Sequence, residues 1–394
     1  MSDTCTVGLP SDDAEVAAFA AILAQVFTIA EGPAGARAWL DRVGLANARA
    51  VRHDGVVAGG LIVIPMGQWF GGRSVPMAGI AAVGIAPEHR SRGAATALMR
   101  ETLRGLRADG FPISALYPAT QALYRRVGFE RAGVQMWLSV PAKAIDVHER
   151  GLPMRRAGDA DRPAIEACYA ERARGSAGLL DRGPYIWNRV RGTKEPSPGY
   201  VVEEAGRVTG YVHYAHRQTP DGVPDIVCSD VVATTPGAAR RLLGFVAEHR
   251  SLAGKISWIG GPADPLQFHL GEQRDADAEV NFWWMLRLLD VAAAFTARGF
   301  PVGLTAELHF DVTDDLFPEN AGRWTVRIQG GRADVTRGGR GTLRCDVRGL
   351  AALYTGHLAP ADAVACGALD GPAGEVAAAA AALAGPLPWM ADHF

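Results

Sequence analysis

The chain has 394 residues, of which 48% are hydrophobic and 21% are charged, and its formal net charge is -2 at pH 7. At about 100–200 residues per domain, this length predicts two or three domains with substantial cores. The near balance of charges gives no general attraction for nucleic acid or for an anionic membrane, so we expect neither as a partner. The 5 cysteines are scattered without a CxxC pair. That distribution argues against a disulfide framework or a zinc site and favours a reducing cytoplasm.

The N-terminal region predicts two helices. Asp12 and Glu15 have the spacing of a capping box, and Phe19 and Leu23 continue an apolar face at helical intervals. A second helix is predicted at about residues 35–43. The segment 16–30 is apolar but falls short of the roughly 20 residues that a membrane span needs.

Strands and helices then alternate up to about residue 128. An Asp54-Gly55 turn between two apolar runs predicts a β-hairpin, and Gly110 and Gly128 mark the ends of two predicted helices. In chain order the predicted elements are strands at 48–53, 56–64 and 77–87, a loop and helix ending near 110, a strand at 113–117 and a helix at 121–127.

A proline-containing, charged stretch at about residues 140–163 predicts a linker, and the pattern before it partly repeats after it. Residues 205–216 resemble residues 54–65, at an offset of about 150 residues. A repeat of domain length favours a tandem duplication over a solenoid, whose periods are about 20–50 residues. The alternative is that any two α/β segments look this similar.

The sequence pattern changes again near residue 281, where an apolar run predicts a buried strand that begins a third unit. The Gly330-Gly331 pair predicts a tight turn between two of its strands. The remaining predicted elements are strands at 302–312, 324–329, 332–335 and 342–347, and helices at 350–354, 360–366 and 375–383.

A strand–turn–helix segment at residues 83–96 carries the clearest chemical signal. Arg90, Arg92 and Gly93 lie in the turn between an apolar strand and a helix. The first amides of a helix have no intrahelical acceptors and lie at the positive end of its dipole, so this turn suits a diphosphate. It matches neither the GxGxxG fingerprint nor a P-loop, and an ordinary turn with surface arginines explains the spacing equally well.

Two motifs resemble a known superfamily. Arg90-x-x-Gly93-x-Ala95 is similar to the acetyl-CoA pyrophosphate signature of the GNAT acyltransferases, and residues 122–129 resemble their LYxxxGF segment. Over its full length, including the closing PWMADHF segment, the chain resembles the Eis family of acetyltransferases. The resemblance implies an α/β (α+β) fold with two tandem GNAT domains followed by a sterol-carrier-like α+β domain. The expected domains are residues 1–145, catalytic, residues 146–284, degenerate, and residues 285–394, sterol-carrier-like.

The resemblance implies acetyl-CoA as co-substrate of the first domain, with no metal. Free backbone amides at the end of its strand would polarise the thioester carbonyl, and Tyr124 would protonate the departing thiolate. By residue type alone, Tyr124 reads as a buried aromatic. The second repeat has Pro236 in place of the arginine turn, so we expect it to bind no CoA. The expected cofactor-binding residues are Val83, Gly84, Ile85, Arg90, Ser91, Arg92, Gly93, Ala94, Ala95, Thr96, Ala119 and Thr120.

The resemblance implies an unusual general base, the α-carboxylate of Phe394. Such a carboxylate ionises near pH ~3.5 and is charged at neutral pH. A closing segment with Trp389 and Met390 is apolar enough to dock on the protein, although docking for stability alone is the alternative. The expected substrate-lining residues are Glu31, Trp39, Tyr117 and His393.

The predicted function is acetyl-CoA-dependent acetylation of a small-molecule or peptide amine, such as an aminoglycoside, a lysine side chain or a polyamine. Residues 27–30 and His393 are less acidic than polycationic aminoglycosides favour, which argues against multi-site aminoglycoside acetylation but not against amine acetylation. The resemblance also suggests a homohexamer. The alternative function is a lipid or sterol carrier that uses the GNAT repeats as a scaffold.

Overall fold

The computed structural model describes residues 5–191, 197–220 and 222–394. Within these residues, a 13-stranded sheet passes through the first two repeats, and a separate 4-stranded sheet lies in the third unit. Helices pack against both sheets. This mixed α/β architecture confirms the fold class predicted from the sequence.

The first repeat folds largely as its hydrophobic pattern predicts. The side chain of Asp12 accepts a hydrogen bond from the amide of Glu15 at 2.9 Å and so caps the first helix. The second helix begins at Gly32 rather than near residue 35, because Pro33 fits a first turn that needs no amide donor. The elements are β1 (Cys5–Gly8), α1 (Asp13–Val26), α2 (Gly32–Val43), β2 (Ala48–His53), β3 (Val56–Phe70), β4 (Arg73–Ile85), α3 (Ala94–Ala108), β5 (Ile113–Leu116), α4 (Gln121–Arg125) and β6 (Glu130–Pro141).

The second repeat has the same order of strands and helices around its central hairpin. Asp54 and Gly55 have φ of 52° and 83°, and Ala205 and Gly206 have φ of 51° and 77° at the equivalent turn. This shared left-handed turn supports the duplication. The elements are β7 (Met154–Arg156), α5 (Arg162–Arg174), β8 (Leu180–Asp181), α6 (Pro184–Arg191), β9 (Gly199–Glu204), β10 (Arg207–Arg217), β11 (Asp225–Ala233), α7 (Pro236–Ala247), β12 (Lys255–Gly260) and β13 (Asp277–Leu288).

The two repeats exchange their closing strands. The strand β13, from the end of the second repeat, lies between β5 and β6 of the first repeat. In return, β6 pairs with β12 of the second repeat through residues 136–141. The exchange makes one continuous sheet, so the two repeats hold each other in a fixed relative position.

The third unit begins after β13. The apolar run near residue 281 was predicted to open this unit, but it belongs to β13 in the large sheet, and the first half of that strand is exposed. Among the described residues, no helix is both long and apolar enough to cross a membrane. The elements of the third unit are α8 (Val291–Ala297), β14 (Ala306–Thr313), β15 (Gly322–Gln329), β16 (Arg332–Arg337), β17 (Leu343–Asp346), α9 (Val347–Thr355), α10 (Pro360–Ala365) and α11 (Ala373–Ala382).

Candidate active site

The strands β4 and β5 separate at one place in the large sheet, which we call the fork. They pair in parallel from Met77 opposite Ile113 to Ile80 opposite Leu116. Beyond this point β4 continues to Ile85, where its described ladder partner is β3. In the fork, the backbone N–H and C=O groups of β4 that point away from β3 therefore make no ladder hydrogen bonds with β5.

A β-bulge shapes the part of β4 that lies in the fork. Ala82 and Val83 together stand opposite the single residue Leu61 of β3. Ala82 has φ of 51°, a left-handed conformation that residues other than glycine rarely adopt. A bulge bends its strand and interrupts pairing. It thus shifts the register of Gly84 and Ile85, which pair with Gly60 and Gly59, at the strand end where the family resemblance implies the amides that bind the thioester.

The turn between β4 and α3 leaves the N-terminus of α3 open. Gly93 is the N-cap with φ of 84°, no side chain caps the helix, and its first turn holds no acidic residue. A Cβ at Gly93 would meet nothing within 4 Å. Arg90 folds back and donates from Nε to the carbonyl of Ile85 at 3.2 Å, while Arg92 is exposed. The turn and the first turn of α3 also contain Ser91, Ala94, Ala95 and Thr96.

This geometry yields a first prediction for cofactor binding. Arg92→Ala should raise the Kd for acetyl-CoA about 10–100-fold, because one charge-assisted phosphate contact contributes about 1.5–3 kcal/mol. Titration calorimetry of acetyl-CoA measures the change. Arg100→Ala removes an exposed arginine from within α3, beyond the turn, and should leave Kd unaltered. Equal affinity in the wild-type chain and Arg92→Ala would rule out this turn as the diphosphate site.

Tyr124 lies in the apolar cluster between α3 and the sheet. It shares this cluster with Leu98 of α3 and Ile80 of β4, and its side chain is 5% exposed. The ring of Phe129 meets it edge-on at 6.2 Å, and the amide of Phe129 donates to its carbonyl at 3.1 Å. Burial raises the pKa of Tyr124 to about 12, so its phenol is protonated at neutral pH.

Residues 388–394, which we call the tail, run from the third unit back across the large sheet. The amide of Met390 donates to the carbonyl of Val134 on β6 at 3.0 Å. The side-chain amide of Gln135 donates to two carbonyls of the tail at 3.3 and 3.1 Å. These contacts fix the direction of the tail up to Phe394, whose side chain is buried.

The tail ends at the fork. A Cβ on Gly79 would lie 2.6 Å from Cε2 of Phe394, so the phenyl ring rests directly on β4. Gly79 precedes Ile80, the last residue of β4 that pairs with β5. Tyr117, which directly follows β5, meets Phe394 edge-on at 5.7 Å and donates its hydroxyl to the carbonyl of Asp392 at 2.8 Å.

An aromatic group surrounds the end of the tail. His393 stacks on Tyr117 with ring centroids 4.6 Å apart, and Phe282 approaches His393 at 5.1 Å. Burial, together with the charge of Asp392, raises the pKa of Tyr117 well above its usual range. Desolvation, together with the charge of Arg189, lowers the pKa of His393 to about 4. At neutral pH the side chains of Tyr117 and His393 are therefore uncharged. Phe282, which the sequence placed in a buried strand, is 42% exposed.

The low pKa of His393 predicts a pH effect on stability. Between pH 6.5 and about 4 the unfolded chain binds a proton at this histidine that the folded chain does not bind, so stability falls as the pH falls. Chemical denaturation at pH 7.5 and pH ~5 measures the loss. His393→Gln should show a smaller loss than the wild-type chain over this window. An identical pH dependence in both chains would contradict the assignment.

The other predicted substrate-lining residues lie at helix α2, and the last two predicted cofactor-binding residues lie in the loop after β5. Trp39 donates from Nε1 to the hydroxyl of Tyr185 at 2.9 Å, which joins α2 to α6. The side chain of Glu31 is exposed at the start of α2. Ala119 and Thr120 are exposed between β5 and α4. The structure thus brings Tyr117, His393 and Phe394 together, and it places Trp39 against α6, the helix that carries Arg189.

The second repeat closes the helix end that the first repeat leaves open. Thr235 caps α7 by accepting from the amide of Ala238 at 3.1 Å, and its hydroxyl donates to Glu204 at 2.8 Å. A side-chain oxygen and a nearby carboxylate occupy the place where a phosphate would bind, and Pro236 removes a donor. This geometry supports the expectation that the second repeat binds no CoA.

Comparisons with known proteins place these features in a family. Profiles of the acetyltransferase (GNAT) domain match residues 10–132 and 178–288, and a profile of the sterol carrier protein domain matches residues 291–391. An uncharacterized N-acetyltransferase of Streptomyces coelicolor is 30% identical over 82% of each chain. The N-acetyltransferase Eis of Mycobacterium tuberculosis is 28% identical over 84% of this chain and 85% of its own.

The agreement extends to a solved structure. A GCN5-related N-acetyltransferase from Anabaena variabilis superposes with a TM-score of 0.94 at 36% identity, covering 99% of this chain and 100% of that chain. The order of the three matched domains and the extent of these similarities lead to one assignment. The chain belongs to the Eis family of N-acetyltransferases, with two tandem GNAT domains followed by a sterol-carrier-like domain.

Proposed function

We propose that this acetyltransferase transfers the acetyl group of acetyl-CoA to a primary amine at the fork, with Tyr124 as general acid and the α-carboxylate of Phe394 as general base. The observation that carries the proposal is the position of Phe394. Its ring rests on Gly79, directly before the point where β4 and β5 separate. A charged α-carboxylate on a docked tail would thus lie beside the backbone expected to bind the thioester.

In this proposal the cofactor and the acceptor bind on opposite faces of the sheet. Side chains alternate along a strand, so consecutive residues of β4 face opposite sides. Ile80 packs in the cluster that contains Tyr124 and α3, whereas Gly79 faces Phe394. The cofactor face thus holds the phosphate turn and the acid, and the acceptor face holds the tail. The fork connects the two faces, which lets a thioester from one side meet an amine from the other.

The proposed reaction needs three proton transfers, two from the acceptor nitrogen and one to the CoA thiolate. An ammonium acceptor first loses a proton, through water, to the carboxylate of Phe394, which is ionised at neutral pH. The amine nitrogen then attacks the thioester carbon, and free amides of β4 stabilise the oxyanion. The carbon–sulfur bond breaks, Tyr124 gives its phenol proton to the CoA thiolate, and the second proton of the amine nitrogen passes through water to the resulting tyrosinate. The products are an acetylated amine and CoA.

The charges around the tail support an acceptor with few positive charges, on a small molecule or a peptide. Asp392 is buried and hydrogen-bonded to Arg182, so its carboxylate is not accessible to an acceptor. Arg189 donates to the carbonyl of His393 and brings a positive charge to this face. The exposed ring of Phe282 can contact the apolar part or the cation of an amine. Repulsion from Arg189 disfavours a polycation.

The proposed function is tested by thiol release from acetyl-CoA across a panel of amines. The panel should contain an arylalkyl monoamine, a lysine peptide, a polyamine and an aminoglycoside. We expect acetyl-CoA-dependent release with the first two at the highest kcat/KM and weaker release with the polycations. Mass spectrometry of the product identifies the acetylated nitrogen. Lack of release above the rate without enzyme for every amine would refute amine acetylation, and a preference for polycations would refute the proposed acceptor class.

A further inference from the structure

A buried cluster of charges joins the tail to the second GNAT domain. Arg182 follows β8, and its guanidinium donates to Asp392 of the tail from Nε at 2.9 Å. The same guanidinium makes two hydrogen bonds to Asp230 of β11, at 2.8 and 3.1 Å. Tyr211 donates its hydroxyl to Asp230 at 2.8 Å. All three charged side chains are at most 5% exposed, so solvent does not screen their interaction.

Aromatic rings complete the surroundings of this guanidinium. It lies over Tyr169 at 3.8 Å from the ring centroid and beside Trp187 at 4.8 Å. Burial works against the charged form, but the charges of Asp230 and Asp392 keep the pKa of Arg182 well above its usual range. Removing Arg182 would leave two buried carboxylates without a cation, and removing the charge of Asp392 would take away a buried charge-assisted contact of the tail. The cluster therefore favours a tail held in one place over one that exchanges with solvent.

The tail also occupies the fork of the second repeat. The strands β11 and β12 pair in parallel through residues 226–228 and 256–258 and then separate, as β4 and β5 do in the first repeat. The cavity beyond this pairing is lined by residues of β11 and by Trp389 and Ala391 of the tail. A Cβ on Gly261 would lie 2.6 Å from the indole of Trp389, so the ring rests directly on this backbone.

We propose that the second GNAT domain is the receptor for the tail and that Arg182 is a positioning residue, which acts through Asp392 on the carboxylate of Phe394. The positioning role rests on the proposed function of Phe394 as general base, whereas the anchoring of the tail does not. The degenerate repeat keeps the fork of an acetyltransferase but fills it with the chain's own Trp389. Asp392 is two residues from Phe394, so its anchoring limits how far the carboxylate can move.

The anchoring is tested without reference to activity by carboxypeptidase A, which removes aromatic C-terminal residues. Phe394 should be released from Asp392→Asn at least about tenfold faster than from the wild-type chain, because cleavage follows local opening of the tail. Arg182→Met should act in the same direction. If Arg182→Met does not fold, the near-isosteric Asp392→Asn still decides the question. Release at the wild-type rate from Asp392→Asn would overturn the anchoring.

A matched control separates anchoring from general destabilisation. Arg287 and Asp314 form another fully buried pair, with contacts of 2.6 and 2.7 Å, and neither touches the tail. Asp314→Asn should lower the unfolding midpoint comparably but leave the release of Phe394 at the wild-type rate. If Asp314→Asn releases Phe394 as fast as Asp392→Asn does, loss of stability explains the effect and the proposal is wrong.

Kinetics test the link to catalysis. Asp392→Asn should lower kcat at least about tenfold while the Kd for acetyl-CoA changes less than about twofold, since the phosphate turn lies on the other face of the sheet. Unchanged kcat together with faster release of Phe394 would overturn the positioning role and retain the anchoring. If a chain without Phe394 also keeps full turnover, the proposed base is wrong, and the release assay still judges the receptor role of the second domain.

Discussion

Amidation of the α-carboxylate of Phe394 should lower kcat by about 10²–10⁴-fold, the usual contribution of a general base. The amide keeps the phenyl ring on Gly79 and every hydrogen bond of the tail described above, but it carries no charge and accepts no proton. The effect should appear in kcat, because the phosphate turn and the bulge of β4 are untouched. Thiol release at saturating acetyl-CoA and amine measures it.

The chain offers a route to this variant without a sequence change. Cys366 is exposed and directly follows α10, so a synthetic peptide of residues 366–394 can be ligated there as the free acid or as the amide. The free-acid product is the matched control and should regain wild-type turnover after refolding. Equal turnover of the two ligation products would show that the carboxylate is not the base.

Two further variants distinguish charge from position. Adding one glycine after Phe394 keeps the ring but moves the carboxylate by about 3.8 Å, and it should reduce kcat nearly as much as the amide does. Phe394→Ala keeps the carboxylate but loses a buried ring worth about 1.5–3 kcal/mol, so it should cost both stability and turnover. A glycine extension with full activity would indicate a base elsewhere in the fork.

The elements near the active site were predictable because their signals are local. The caps, the Asp54-Gly55 turn and the strand–turn–helix around Gly93 are each encoded within a few neighbouring residues. Long apolar strands gave clear signals too, although β3 extends beyond its predicted end at residue 64. The strand β3 continues through Pro65, which has no amide hydrogen to donate. Pro65 lies between the part of β3 that pairs with β2 and the part that pairs with β8, so neither ladder loses a hydrogen bond.

The parts that could not be predicted depend on contacts between distant residues. The placement of β13 between β5 and β6 follows from the exchange of strands between repeats, which no periodicity encodes. Arg182 and Asp392 are separated by 210 positions, and each reads locally as an ordinary surface charge. Phe282 was read as core because apolar residues follow it, yet the structure places it beside His393 at the end of the tail. The resemblance to a family supplied the idea of a catalytic terminus, but only the fold shows what holds that terminus.

The lipid-carrier alternative is not favoured by the interior of the third domain. Phe295 packs against Phe310 and Tyr354 with ring centroids 5.8 and 5.4 Å apart, and all three side chains are buried. This core is continuous with the apolar cluster of the first domain, which includes Phe394. The third domain is therefore packed continuously with the first domain, and the tail departs from it.

Tyr124→Phe should lower kcat about 10²–10⁴-fold with little change in the Kd for acetyl-CoA. The substitution keeps the buried ring and its contact with Phe129, so the fold should be retained. What is lost is the proton for the departing thiolate. Tyr200→Phe removes a phenol from β9 in the second domain and is the matched control, for which we expect wild-type kinetics.

The role of Tyr124 as general acid requires that its pKa be comparable with that of the departing thiol. Burial raises the pKa of Tyr124 to about 12, whereas a thiol in water has a pKa near ~8.5, so proton transfer to a hydrated thiolate would be unfavourable. A thiolate expelled into the same apolar cluster is also desolvated and more basic. Burial has that effect on a thiol in this chain, where it raises the pKa of Cys228 to about 12. A CoA thiolate desolvated in the same way would be a better proton acceptor for Tyr124 than a hydrated one.

The high pKa of Tyr124 also predicts how kcat depends on pH. Because Tyr124 is protonated up to about pH 12, its ionisation should not produce a fall in kcat between pH 7 and 10 in the wild-type chain. In Tyr124→Phe the thiolate must be protonated by water, so kcat should be low and remain low across this range. A variant that keeps more than about a third of wild-type kcat at pH 7 would show that thiolate protonation is not the step that Tyr124 serves.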